Sequence, residues 1–582
     1  MRFTRTLGML LLLLATSAGS LMAQTSNGTL VGTVEDPTGA ALEGATVSAQ
    51  SVDTGAIRTA ETISNGSYRI ESLLPGTYTV TVKAPNFQST VVSNLHIAAS
   101  VVTTSDVTLK VGNTSEQVEV VANGTAVNTD NAQISGTIGT LEISSLPVSS
   151  LNPYALALTL PGVISPQQGA FSNGVDFSVG GGRPRSNNFL IEGQDNNDAA
   201  LHGQGLQPEN VEAQKEVIVL QNNYNAEFGH GAGSVSNLIF KSGSNQLHGS
   251  VWELAENSSL DANSHYDVRN IIPKSLYREN IFGFTVGGPI IRNKLFGFGS
   301  YQWDKYRATA NLATLTAPSA AGYATLKALP SNPRISTLIE AFGGLVGDPA
   351  QLAAAGGLNT IALGNDPVSG LDRGSVQIGY AQRRLGNSSE SPELDLKGDY
   401  LINKNDTLSL RYIRTSNLTP YDTTNFPGQL PGFDTNQNGA AHNAGIVETH
   451  IFSPNLLNEF RLSYGRIGFT FGLPGSTTSN PLFGTPGVTI SSLTGWGIPT
   501  SIPQGRFHNT YQVQDSLSWT RGKHFLKIGA DISDIRVRDQ IPFNFYGTIS
   551  YLDVPGGYTG LANFIDNFGG KGAISSQVLK VL

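Results

Sequence analysis

The chain has 582 residues, 36 Lys and Arg against 44 Asp and Glu, a net charge of -8 and no cysteine. That balance argues against a protein built to bind nucleic acid, and the missing thiols exclude disulfides, thiol catalysis and cysteine-held metal. No apolar run beyond the N-terminus reaches the roughly 20 residues of a spanning helix, which excludes a multi-pass helical membrane protein but not a β-barrel, whose alternating strands average out in hydropathy.

Arg2 and Arg5 precede the short apolar stretch Leu7 to Ala15, and Met22-Ala23-Gln24 offers a cleavage point, with another after Ser20. This predicts a signal peptide over residues 1–23 and export from the cytoplasm. No cysteine follows, so no lipid anchor is expected.

Residues 27–112 read as short strands between turns. Leu30, Gly32 and Val34 alternate with polar neighbours, and Asp36-Pro37-Thr38-Gly39 makes a turn. Ser64-Asn65-Gly66-Ser67 is a hairpin signal, after which Tyr68 and Ile70 share a face. Tyr78, Val80 and Val82 repeat the pattern, as do Val107, Leu109 and Val111. The spacing predicts a small β-sandwich. The stretches GTLVGTVEDPTGAALEGATVSA and NGSYRIESLLPGTYTVTVKAPNFQS resemble the carboxypeptidase regulatory-like domain. That resemblance implies a prealbumin-like sandwich without a catalytic zinc, serving as spacer, docking module or glycan binder.

Residues 113–122 form a linker in which Glu116, Gln117, Val118, Glu119, Val120 and Val121 alternate polar and apolar. The alternation predicts an isolated strand, either open to capture by a partner's sheet edge or the first strand of the next domain. The segment resembles the TonB box of outer-membrane transporters, which implies contact with periplasmic TonB.

Residues 123–246 read as one small α+β domain. Asn152-Pro153 caps a short helix over Tyr154 to Leu160 that Pro161-Gly162 stops. Val211 to Glu216 suggests a helical turn before the buried strand Val217 to Leu220. The stretches SLPVSSLNPYALALTLPGV, VGGGRPRSNNFLIEGQDNND and NYNAEFGHGAGSVSNLIFKSGSNQLHGS resemble the plug of TonB-dependent transporters, nearest to Oar-like receptors. By that resemblance the loop holding Arg183, Arg185 and Asn187 faces the outer cavity and contacts an anionic ligand.

Residues 247–582 hold about nine or ten amphipathic strands, among them 248–257, 278–287, 295–304, 393–401, 407–416, 443–452, 456–467, 510–519 and 524–534. Short turns alternate with long loops over 305–392, up to His442 and up to His508, the rhythm of an outer-membrane barrel. Trp252, Tyr301, Trp303, Tyr412, Tyr464 and Trp519 are expected as an aromatic girdle. Plugged transporters use about 22 strands, and the end Val578-Leu579-Lys580-Val581-Leu582 has no terminal aromatic. An incomplete barrel, and a truncated chain, are the expectation.

No HExxH, GxSxG or Walker lysine loop is present. Asp434, Asn436, Asn438 and Gly439 match the start of a calcium loop, but Gly445 stands where its closing Glu belongs. Asp195-Asn196-Asn197-Asp198 reads as a solvated loop. The sequence therefore points to a mainly β chain of sandwich, plug and partial transmembrane barrel, with no catalytic residue, metal or cofactor. The expected function is energised, TonB-dependent uptake of an extracellular ligand across the outer membrane. The partners are TonB with its inner-membrane energising complex and the membrane lipid, not nucleic acid. The alternatives are a barrel-anchored adhesion or structural protein, and a glycan binder acting through the sandwich.

Overall fold

A computed structural model describes residues 27–112, 117–121, 132–146, 151–166, 173–269, 274, 276–309, 313–383, 385–522, 524–554, 558–568 and 574–577. The expected signal segment, Glu116 and the last five residues lie outside them.

Alternation of apolar residues builds the N-terminal sandwich. One sheet places Gly28–Glu35 between Ser67–Leu73 and Val102–Thr104; the other runs Ile57–Glu61, Thr46–Ser51, Gly76–Lys83, Ser89–Ile97, Gln117–Val121. Between them lie Leu30, Val34, Val47, Tyr68, Ile70, Tyr78, Val80, Val82, Val107 and Leu109. Val111, expected to join that face, is exposed, because the strand Val107–Thr108 ends before it.

The segment expected as an isolated linker strand is paired. Gln117–Val121 runs parallel to Ser89–Ile97, with Thr90 opposite Val118 and Ser93 opposite Val121. It thus closes the sandwich sheet rather than opening the central domain.

The central domain is a five-stranded sheet in the order Ile134–Ile138, Gln214–Asn222, Val235–Phe240, Asn188–Ile191, Gln194–Asp195. Asn152 caps the expected helix by accepting from Tyr154 N (3.1 Å), and the turn that follows is 3-10 rather than α, over Pro153–Thr159. The domain's core is completed from outside: Phe298, Ile413 and Ala441, all on the inner face of the large sheet, pack against its Tyr154, Phe189, Val217 and Leu238.

That large sheet is a nine-stranded antiparallel meander: His248–Asn257, Tyr277–Ile291, Leu295–Thr309, Gly386–Leu401, Asp406–Thr419, Asn436–Ser453, Leu456–Gly472, Gln504–Arg521 and His524–Gln540. Its first and last strands do not pair, so the barrel is not closed. Phe282, Phe284, Val286, Leu396, Leu410, Ile446, Leu462, Val513 and Leu517 stand exposed on the outer face. Alternate positions such as Asp395, Arg411, Asn443, Arg461 and Gln514 are buried against the central domain. Apolar outside and polar inside is the pattern lipid demands of a spanning sheet. Tyr301, Trp303, Tyr412, Tyr464 and Trp519 share register with that outer face, as a girdle requires. Trp252 does not: it pairs with Gly283 on the inner face, where its ring occupies the space a side chain at Gly283 would need.

Several strands outrun their expected limits at the loop end. Asn436–Ser453 begins seven residues early by sequence alternation, because the ladder of backbone hydrogen bonds continues beyond the apolar band that made the alternation visible. The connections expected as irregular loops are also ordered. Segments 313–383, 420–435, 473–503, 541–554 and 558–568 fold over the loop end around one core, holding Leu315, Leu338, Phe342, Ile378, Leu430, Phe433, Trp496, Tyr551 and Phe564. The calcium-loop resemblance dissolves here. Asp434 is held by Arg383 through two hydrogen bonds (2.8 and 3.0 Å), and Asn436, Asn438 and Gly439 are strand residues.

At the opposite end, the short turns meet the sandwich. Arg58 donates to the carbonyl of Lys404 (3.1 Å), Asn27 to Glu459 (2.6 Å), and the Arg69 guanidinium lies 4.0 Å from the Phe525 ring centroid.

Candidate functional site

The structure puts the sequence-derived candidates in two different places. Gln117–Val121 is the last strand of its sheet, so one of its backbone edges has no partner among the described residues. Ser93 donates to Glu119 (3.0 Å), while the side chains of Glu119, Val120 and Val121 are exposed. The strand is therefore held on one side and open on the other among the described residues, in the sandwich that meets the turn end of the barrel.

Arg183 and Arg185 flank Pro184 in a single 3-10 turn and are exposed. Asn187 is buried and committed: its Nδ2 donates to the carbonyl of Phe177 (2.7 Å) and its Oδ1 accepts from Ser234 (3.0 Å). It fixes the loop, with both polar atoms of its side chain already hydrogen-bonded within the domain.

A third constellation escaped the sequence reading. The strand Asn188–Ile191 turns back through Glu192 and Gly193, both in the left-handed region (φ 49° and 74°), the geometry of a two-residue hairpin. That turn projects Glu192 into the inner face of the large sheet. Lys397 Nζ donates to one carboxylate oxygen (2.5 Å) and Arg411 to the other (3.2 Å). Arg411 also donates to the Ile191 carbonyl (3.0 Å), to Gln194 (2.8 Å) and to Asn443 (2.6 Å). Arg461, itself paired with Glu459 (2.5 Å), reaches the Glu192 carbonyl (3.4 Å). Burial pushes the Glu192 carboxyl up, but Lys397 and Arg411 outweigh it and hold it below its ordinary value. The turn is thus a charged latch between the central domain and the barrel wall. What could have flagged it is the set of Lys and Arg at inward positions of successive strands, a costly placement without a buried acid to meet them.

The stretch 195–198, expected to be solvated, continues the latch. Asp195 N donates to Gln512 (2.9 Å), and Asp198 is buried and paired with Arg506 (3.1 Å). Glu227 adds a further tie to Lys527 (2.6 Å). Elsewhere, donor atoms of Asp406, Glu448 and His450 lie within 4.8 Å of one another at the turn end of the outer face, but Asp406 already accepts from His450 and Asn403 (2.5 Å each). None of these groups forms a nucleophile–base pair.

Comparison with known proteins gives two family matches: the outer membrane beta barrel domain over residues 239–577 and the carboxypeptidase regulatory-like domain over residues 29–110. The TonB-dependent transporter Oar of Myxococcus xanthus is 24% identical over 266 residues, 44% of this chain and 25% of that protein. Among solved structures, the outer membrane transporter YddB from Escherichia coli matches at 12% identity and a TM-score of 0.47, covering 73% of this chain and 51% of that one. The siderophore receptor PirA from Acinetobacter baumannii matches at 12% identity and a TM-score of 0.42, covering 70% and 48%. The chain spans a quarter of the length of the curated relative and about half that of these structures.

Proposed function

We propose that this chain, which belongs to the outer membrane beta barrel domain family, acts in TonB-dependent, energised uptake of an extracellular ligand. Family membership makes it an outer-membrane protein, with the short turns on the periplasmic side and the folded cap outside. In this reading the central domain is the plug. Ligand engages the cap and the outer loops of the plug, Arg183 and Arg185 among them. TonB, driven by its inner-membrane complex, captures the strand Gln117–Val121 and pulls. Force passes along the chain to the latch at Glu192, and the plug loosens. No covalent bond is made or broken, so the proposed work is not enzymatic.

The observation that carries the reading is the strand Gln117–Val121, paired on one edge only among the described residues and lying next in the chain before the central domain. A partner strand can add to its open edge by backbone hydrogen bonding. Proline at Val118 or Glu119 removes one donor each and fixes φ. Adjacent residues of a strand aim their N–H groups to opposite edges, so one of the two substitutions strikes the open edge and the other the sandwich ladder. Receptor abundance and binding to the periplasmic domain of TonB are measured for both, with Val118→Ile as the tolerated control. One proline variant loses binding at normal abundance if the reading holds. Unchanged binding in both rejects it and favours the anchored adhesion protein, for which the cap would supply the contacts.

A further inference from the structure

Between the latch and the cap, the inner wall of the sheet carries acids without bases. Glu279, Asp304, Glu393 and Asp395 occupy inward positions on three adjacent strands, linked by the register Ile281 to Asp304, Gln302 to Glu393 and Ser300 to Asp395. A loop of the central domain brings Glu209 and Asn210 against them. Glu209 N and Asn210 N donate to Glu393 Oε2 (2.8 and 3.3 Å). Ser300 and Asn210 Nδ2 donate to Asp395 Oδ2 (2.5 and 3.3 Å), and Asn210 Nδ2 also donates to Ser300 (2.9 Å).

These bonds leave one oxygen unmet on each side chain. Asn210 Oδ1, Glu393 Oε1 and Asp395 Oδ1 are buried without a hydrogen-bond donor among the described residues, on residues 0%, 3% and 2% exposed. All three are acceptors. No Lys, Arg or His among the described residues forms an ion pair with Glu393 or Asp395; the nearest along the strand, Lys397, is spent on Glu192. Two carboxyl groups on one face of one strand, both out of water, are a costly arrangement unless a cation lies between them or they share a proton. Water would supply donors but no charge.

We propose that Asn210, Glu393 and Asp395 hold a hard divalent cation of the calcium type at the seam between the central domain and the barrel wall. The donors are all oxygens, two carboxylates and one amide, which suits Ca2+ and not the nitrogen and sulfur preference of zinc. Water completes the coordination. Such an ion bridges one loop of the central domain to one strand of the barrel wall, a second tie beside the Glu192 latch and independent of the uptake reading.

Tb3+, a luminescent stand-in for Ca2+, is titrated into receptor extracted from outer membranes, with excitation through the protein's own aromatic rings. A saturable signal displaced by Ca2+ is expected. Glu393→Gln combined with Asp395→Asn should weaken it roughly tenfold or more, since charge count sets calcium affinity. Asn210→Asp adds a charged oxygen and should tighten it. Heat-modifiable migration checks folding of each variant. No saturable signal in the wild type, or a signal indifferent to the double amide, overturns the proposal. If the double variant fails to fold, Asn210→Asp decides: tighter binding supports the site, unchanged or weaker binding overturns it. An infrared carboxylic-acid band in the wild type, lost on Glu393→Gln, would show a shared proton in the ion's place and also overturns it.

Discussion

Glu192 illustrates how one residue can govern a domain interface. Replacing it with Gln leaves Lys397 and Arg411 facing a neutral group in a buried site, at a cost of about 3–5 kcal/mol. The expected readout is easier release of the central domain, as proteolysis near 191–198 at lower denaturant. The pH dependence follows from the sign of the shift. Burial raises the carboxyl, Lys397 and Arg411 lower it further, and the net value lies below the ordinary 4.5. A depressed carboxylate adds stability above its unfolded pKa and gives it up as pH falls through the folded one. The interface should therefore hold at neutral pH and weaken in acid below about pH 4.5, and Glu192→Gln should flatten that acid limb. A wild-type interface insensitive to acid would contradict this account. Asn187 teaches the reverse lesson: a polar residue in a loop rich in ligand-like groups is engaged within its own domain, by the Phe177 carbonyl and the Ser234 hydroxyl.

Among the elements, the barrel strands and the cap differ in how their sequences advertise them. A strand between lipid and a polar interior must alternate, so all nine are visible as alternation. The cap obeys no such rule. Its strands are three to nine residues long, its helices four to ten, and its core joins Leu315 to Phe564 across almost 250 positions. Trp496 sits in that core, its ring edge-on to Phe564 at 5.5 Å. Trp496→Ala should cost the cap about 3–5 kcal/mol. Protease added outside intact cells should then cut within 313–383, while the heat-modifiable barrel band persists. A cap that stays resistant would mean its segments are held by the strand ends rather than by their shared core.

For the whole molecule, the lipid sets the outer face and the central domain sets the inner one. Leu410 lies on the outer face, and its neighbour Arg411 points inward to the latch. Leu410→Arg should destabilise the barrel by about 2–4 kcal/mol if it lies near the membrane midplane, seen as lower outer-membrane yield and a lower temperature for loss of the folded band. Moving a positive charge by one residue thus converts a buried tie into a lipid-exposed fault, since a strand's side chains alternate faces. An unchanged yield would place this stretch outside the apolar band.

By itself the sequence determined what repeats locally. The sandwich core from Leu30 to Leu109, the nine barrel strands and the cap of Asn152 on Tyr154 were all legible, because each depends on alternation or on a turn signal a few residues long. Tertiary structure alone decided the rest. Gln117–Val121 pairs with Ser89–Ile97 because a parallel edge was open there, which no local signal records. Glu192 meets Lys397 and Arg411 across more than 200 positions, and Asn210 meets Glu393 and Asp395 across more than 180. Ion pairs and buried oxygen clusters have no periodicity of their own. They exist only where folding removes water from residues far apart in the chain, and the cost of leaving a charge there unmatched is paid in three dimensions.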